Sequence, residues 1–383
     1  MAVKNGSKAA LTRINRCGRE GAPTLSLSGL KLTELPERMR DLTQLRELDL
    51  TFNELTELPE WLSDLTGLTR LRLSYNNLAG LPERLVNLTA LTELDLGHNK
   101  LARIPEWLGE LTSLTGLSLF GLRLTGLPDS LRKLTALTRL SLSGGWEPFD
   151  IPDWVGDLTA LTSFGVTHCR PPVGLPESLG NLTALTELRL GYNHMEEVPD
   201  WLGNLTALTE LELQTNRLTS LPESMRALTA LTRLELQDNR LTELPEWLGD
   251  LTALTRIGLW DNRLTSLPKS IGNLTGIPWL YLWGNELAEL PGSLGDLTGL
   301  TKLDLHDNRL TELPEPLRNL TALTELDLRG NRLAEVPEWF PDLTALTTLR
   351  LGDNDPRPTV PASLRLLART SPQWHRFLAS RNR

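Results

Sequence analysis

The chain has 383 residues, with 39 Lys/Arg against 48 Asp/Glu and a formal net charge of −9. Two cysteines, Cys17 and Cys169, are too few for a disulfide framework, and no apolar run of 18 residues is present to span a membrane as a helix. Five Lys/Arg face one Glu in residues 1–21 and six Arg face no acid in 356–383, which leaves −19 between them and disfavours nucleic-acid phosphate as a partner there.

In chain order, MAVKNGSKAALTRINRC is charged and lacks the apolar core of a signal peptide, so a cytoplasmic location is expected. Ala10, Leu11, Ile14 and Cys17 fall at helical spacing, which predicts an amphipathic cap over residues 1–21, with Cys17 as a buried cap residue rather than a nucleophile. From Ala22 one phrase repeats fifteen times, clearest as LTRLELQDNRLTELPEWLGDLTA at 231–253. Twelve copies have 23 residues, and those starting at Leu137, Leu161 and Leu346 have 24, together filling residues 22–369. Such a period overrides the two or three domains that the length alone suggests, because stacked repeats share one core. Period-2 alternation in LTRLEL points Leu234 and Leu236 inward and Arg233, Glu235 and Gln237 outward. Residues 370–383 form a predicted C-terminal cap: Ser371 is an N-cap, Pro372 opens the helix, and Trp374, Phe377 and Leu378 share a face.

The phrase LxxLxLxxNxLxxLPxxLxxLxx resembles the leucine-rich repeat, and its LP-containing 23-residue form is similar to Scribble-type proteins, plant Ras-group repeat proteins and bacterial intracellular ones. The opening LSLSGLKLTELPERM also resembles the repeat segment of Roc-COR GTPases, although no GxxxxGK[ST] follows. The resemblance implies an α/β repeat solenoid, a horseshoe with a concave parallel β-sheet of about fifteen repeats, and a protein-binding role.

Most conspicuous residues have structural explanations. An Asn ladder from Asn53 to Asn354 fills one slot in eleven repeats, where an amide can satisfy backbone groups at each strand end. Trp61, Trp107, Trp154, Trp201, Trp247 and Trp339 alternate with smaller residues and are expected to pack. Glu47, Arg70 and Glu93, like Asp49, Arg72 and Asp95, read as opposite charges on neighbouring strands. The NLT triplets belong to the repeat phrase and not to glycosylation.

Two stretches depart from the phrase. Repeats 5 to 7 replace the ladder Asn with Leu122, Gly145 and Cys169, and their loops place Phe120, Trp146, Phe149, His168 and Arg170 on one rim, either as a contact site or as a self-packed bend. In GIPWLYLWGN the outward positions are Trp279, Tyr281 and Trp283, flanked by Trp260 and His306 one strand either side. Rings exposed at about 100 Å² each would reach about 400 Å², a size typical of interaction surfaces.

Five scattered histidines and the absence of HExxH, paired CxxC or GxSxG motifs predict no enzyme, no metal and no cofactor. The expected function is a non-enzymatic scaffold or adaptor that recognises a protein or peptide, favourably a basic one, on the concave face. Alternatives are a carbohydrate or small-molecule binder using the aromatic rings, and a recognition subunit of an enzyme complex. Oligomeric state is not legible in the sequence.

Overall fold

The computed structural model describes residues 2–144, 150–169, 174–372, 374, 376 and 377. Fifteen strands form one parallel sheet in sequential order, one strand per repeat. Two compact units divide the chain, Met1–Arg189 and Leu190–Arg383.

The first unit contains α1 (Ala2–Glu20) and strands β1 (Thr24–Ser26), β2 (Glu47–Asp49), β3 (Arg70–Arg72), β4 (Glu93–Asp95), β5 (Gly116–Leu124), β6 (Arg139–Gly144), β7 (Ser163–Thr167) and β8 (Glu187–Arg189). Helix α1 starts earlier than the AALTRINRC segment. Its buried residues are Ala10, Ile14 and Cys17 at i, i+4 and i+7, whereas Leu11, expected on the same face, is 39 % exposed. Burial, with the Glu20 charge adding to it, pushes the Cys17 thiol pKa up, away from reactivity.

The second unit contains β9 (Glu210–Glu212), β10 (Arg233–Glu235), β11 (Arg256–Gly258), β12 (Trp279–Tyr281), β13 (Lys302–Asp304), β14 (Glu325–Asp327), β15 (Thr348–Arg350) and α2 (Ala362–Thr370). Helix α2 lies in the residues that the period counts as the end of the last repeat. Beyond it, Trp374 donates its backbone N–H to Ser371 Oγ at 3.5 Å, and the buried Trp374 and Phe377 rings meet edge to face.

Inward leucines such as Leu234 and Leu236 are fully buried. The return segments are 3-10 turns rather than α-helices: Glu246–Asp250, for example, is entered from Pro245 at φ −71° and ψ 151°. Proline at the entry and a 23-residue repeat leave five residues for this segment, and a 3-10 rise of about 2 Å per residue covers more length than an α-helix would. At the strand ends, Asn239 Nδ2 donates to Leu213 O and Leu236 O, both at 3.0 Å, while its Oδ1 accepts from Leu218 N at 3.0 Å. Asn53 repeats this geometry on Leu27 O, Leu50 O and Leu32 N. Trp154 and Trp247 are buried and the other slot tryptophans half-buried, as packing residues should be.

Among the described residues, no helix is long and apolar enough to cross a membrane.

Candidate functional site

The outward sheet face of Leu190–Arg383 carries the aromatic cluster. Adjacent repeats hold Trp260, Trp283 and His306 in one row, and the rings stack: Trp260 and Trp283 centroids are 6.1 Å apart at 18°, Trp283 and His306 5.2 Å apart at 9°. Tyr281 meets Trp260 edge-on at 6.2 Å, across the space left open by Gly258, its partner in register. Trp279 stands outside this stack, in register with Lys302, and is 49 % exposed. All five residues picked from the sequence thus share one surface of β11 to β13, but four of them spend part of their area on one another.

The cluster is locked from one side by carboxylates. His306 Nδ1 pairs with Asp304 Oδ1 at 2.6 Å, which orients the imidazole against Trp283. Asp327, 3 % exposed, accepts from Arg329 Nε at 2.9 Å and Nη2 at 2.7 Å and from Arg350 Nη1 at 3.3 Å. Burial pushes its pKa up, but the hydrogen bonds and charge of Arg329, with the Arg350 charge, outweigh burial and hold the carboxyl below its usual range. Asp304, His306 and Asp327 lie at metal-ligand spacing, yet Asp327 is already neutralised by two guanidinium groups.

Glu235, outward by alternation, is fully buried, with Oε1 between Arg233 Nε at 2.8 Å and Arg256 Nε at 2.5 Å. The Glu235 hydrogen bond raises the Arg233 pKa, against burial, with Glu235, Glu212 and Glu210 charges contributing.

Met1–Arg189 holds a second set of rings. Phe52 stacks on Tyr75 at 4.3 Å, Tyr75 on His98 at 4.1 Å, and His98 meets Phe120 edge-on at 5.1 Å, as Phe120 meets His168 at 5.9 Å. Of the rim residues picked from the sequence, this column unites Phe120 and His168; Trp146, Phe149 and Arg170 lie outside the described residues. Burial and the neighbouring His98 lower the His168 pKa. His168 is exposed and Cys169 buried, but β7 ends at Thr167 and His168 is in left-handed backbone, so strand alternation does not set their directions.

Phe52 and Tyr75 escape sequence reasoning. Phe52, Tyr75, His98 and His168 occupy left-handed backbone at φ 49° to 59°, the slot preceding the ladder position. Residues 238, 261, 307 and 353 fill the same slot with Asp, which tolerates this conformation, whereas for a bulky ring it costs about 1 kcal/mol. Phe52 and Tyr75 are nevertheless 57 % and 44 % exposed. Exposed rings at a slot that favours Asp or Gly are a signal the sequence does contain. The column continues past repeat 5 because Gly121, at φ 75°, leaves room for the His98 ring, which would lie 2.4 Å from an added Cβ.

The cross-strand charges pair differently from their register. Arg70 binds Glu47 at 2.6 Å, but Glu93 turns to Arg139, two strands away, reaching it over Gly116. Asp49 and Asp95 flank Arg72 in register, yet among the described residues no ion pair joins them to it; Asp49 accepts instead from Ser26 and Thr51, and Asp95 Oδ1 from the Gly97 N–H.

With this geometry in hand, the comparisons agree on one family. Profiles described as leucine-rich repeat match residues 23–78, 183–241 and 206–264, a leucine-rich repeat region matches 253–350, and a two-copy repeat matches 66–109. The chain is a leucine-rich-repeat protein. Among solved structures it is similar to the effector YopM of Yersinia pestis, at 28 % identity and TM-score 0.69, covering 94 % of this chain and 92 % of that one. It is also similar to a leucine-rich-repeat protein of Leptospira interrogans, at 27 % identity and TM-score 0.68, covering 87 % and 97 %. A chain of the Drosophila Toll–Spätzle complex matches at 25 % identity and TM-score 0.70 over 84 % of this chain and 49 % of its own length. No curated protein sequence matches. The leucine-rich-repeat scaffold is generally non-catalytic.

Proposed function

We propose that the chain is a non-enzymatic recognition scaffold that binds a protein or peptide partner on the outward face of its sheet, anchored at Trp260, Trp279, Tyr281, Trp283 and His306. The observation that carries this reading is Trp279: a half-exposed indole beside a fixed stack of three rings, on strands that cannot rearrange cheaply. Large rigid rings lose little conformational entropy on binding and dominate interface energetics. The Toll–Spätzle match gives a precedent for protein recognition on this fold. Residues 190–383 hold 26 Asp/Glu against 19 Lys/Arg, which favours a basic partner. Phe120 and His168, with the rest of the rim predicted between Trp146 and Arg170, form a second contact.

The double substitution Trp279→Ala and Trp283→Ala should leave the circular dichroism spectrum intact and lower recovery of the main captured protein in a pull-down about tenfold, as loss of two interface hot spots does. Equal recovery by the variant removes the cluster as the anchor. Binding in a glycan panel that is lost with Trp283→Ala would instead assign the rings to a sugar.

A further inference from the structure

Charge is matched at one end of the aromatic cluster and unmatched at the other. Beside Trp279 the ions are paired: Lys302 Nζ lies 2.9 Å from Glu325 Oε1, and Arg256 Nε 2.5 Å from Glu235 Oε1. Past the opposite end of the strands, the slot before the ladder holds Asp238, Asp261 and Asp307. Asp307 has His306 Nε2 at 3.8 Å, but Asp238 and Asp261 have no ion pair or side-chain hydrogen bond among the described residues. Partial burial, with the Asp238 and Asp307 charges adding to it and His306 opposing, raises the Asp261 pKa. Neither Arg240 nor Arg263, two residues beyond the slot, is among the charges that act on it.

A second observation lies beneath these carboxylates. Glu235, fully buried, leaves Oε2 without a hydrogen-bond partner, as Gln237 leaves Oε1. Both oxygens lean over Gly258, 2.6 and 2.2 Å from where its Cβ would stand, beside the corner made by Trp260 and Tyr281. Turning the Gln237 amide over supplies one donor between them and none for Asp238 or Asp261. The cations nearby are already held: Glu210, Glu212 and Glu235 surround Arg233, and Glu235 also takes Arg256. Repeat 10 thus lines the side of Trp260 away from Trp283 with acceptors, from Glu235 through Gln237 to Asp238.

We infer that this side of Trp260 is a subsite for an arginine side chain of the protein partner. The inference rests on reading the aromatic cluster as a protein-binding surface, and adds which residue type is recognised and where. The arginine stem lies along Trp260, and the guanidinium forks to Asp238 and Asp261, whose backbones on neighbouring repeats are about 5 Å apart. Arginine fits better than lysine because its planar head can contact the indole and still donate to two carboxylates. The slot lies five positions beyond Trp279 in the repeat, about 16 Å along the strand direction. An extended partner segment therefore carries its arginine about five residues from the apolar residue that covers Trp279.

The test uses the full chain and fluorescein-labelled peptides read by anisotropy. One probe joins Leu-Phe to Arg-Arg through four serines, a second replaces arginine with citrulline, and a third lacks the serines. The spaced arginine probe should bind about tenfold more tightly than either of the others, as a charge-assisted contact at the right distance does. Asp238→Asn combined with Asp261→Asn keeps residues that accept left-handed backbone, and should weaken the arginine probe about fivefold while leaving the citrulline probe unaltered. Trp279→Ala should weaken both. Equal affinity for the spaced arginine and citrulline probes, or an unaltered affinity in the Asp238→Asn, Asp261→Asn variant with a native circular dichroism spectrum, overturns the arginine subsite. A citrulline probe still weakened by Trp279→Ala would then leave the aromatic anchor standing. No binding of any probe, or probes indifferent to Trp279→Ala, removes the anchor and the subsite's spacing with it.

Discussion

Replacing Asn239 with Leu removes three buried hydrogen bonds and leaves Leu213 O, Leu236 O and Leu218 N without their partner. Each buried orphan costs about 1–3 kcal/mol, and local relaxation recovers part of it, so a loss of about 3 kcal/mol is expected in urea unfolding. Repeat 5 shows how Leu is accommodated at this slot: Leu122 is buried, β5 continues through Leu124, and the Gly121 N–H finds Ser143 Oγ at 2.6 Å. A second residue-scale prediction concerns pH. The Asp327 carboxyl has a depressed pKa when folded, so its stabilisation is present above the unfolded value, about 3.9, and disappears as pH falls through the folded one. Wild-type stability should therefore drop below about pH 4 with a component that Asp327→Asn lacks, measured by urea unfolding at stepped pH.

At the scale of elements, the period and the leucine alternation were enough to place every strand, because each inward leucine has one face to bury and a fixed distance to the next. The alternation could not specify how the return segments coil, since 3-10 and α turns bury the same leucines at this length. Nor could it reveal which outward charges pair: Glu93 reaches Arg139 only because Gly116 leaves the space between them open. The stacking of Trp260, Trp283 and His306 was legible as a row, whereas Phe52 and Tyr75 sit in the slot before the ladder, which varies from repeat to repeat and breaks no part of the phrase. Helix α1 yields a prediction at this scale. Ile14 is 2 % exposed, so Ile14→Ala should cost about 2–5 kcal/mol of local stability, visible as faster amide exchange in β1 with little change in β13. Uniform loss of protection across all strands would mean that the helix supports more than its neighbouring repeats.

For the molecule as a whole, repetition explains the fold but leaves activity to the departures from it, and charge is the property that separates them. Residues 190–355 hold 26 Asp/Glu against 13 Lys/Arg, and the aromatic cluster sits among them. If the partner of that cluster is basic, long-range attraction acts on encounter, whereas Trp279 and its neighbouring stack act on residence. Raising NaCl from about 50 to about 500 mM shortens the screening length severalfold, so the association rate of the captured partner should fall about tenfold while its dissociation rate stays within about twofold. Trp279→Ala should do the reverse, speeding dissociation and leaving association nearly unaltered. Biolayer interferometry of both proteins across a salt series separates the two contributions. An association rate that ignores salt would mean that the acidic surface keeps the chain soluble and does not select its partner.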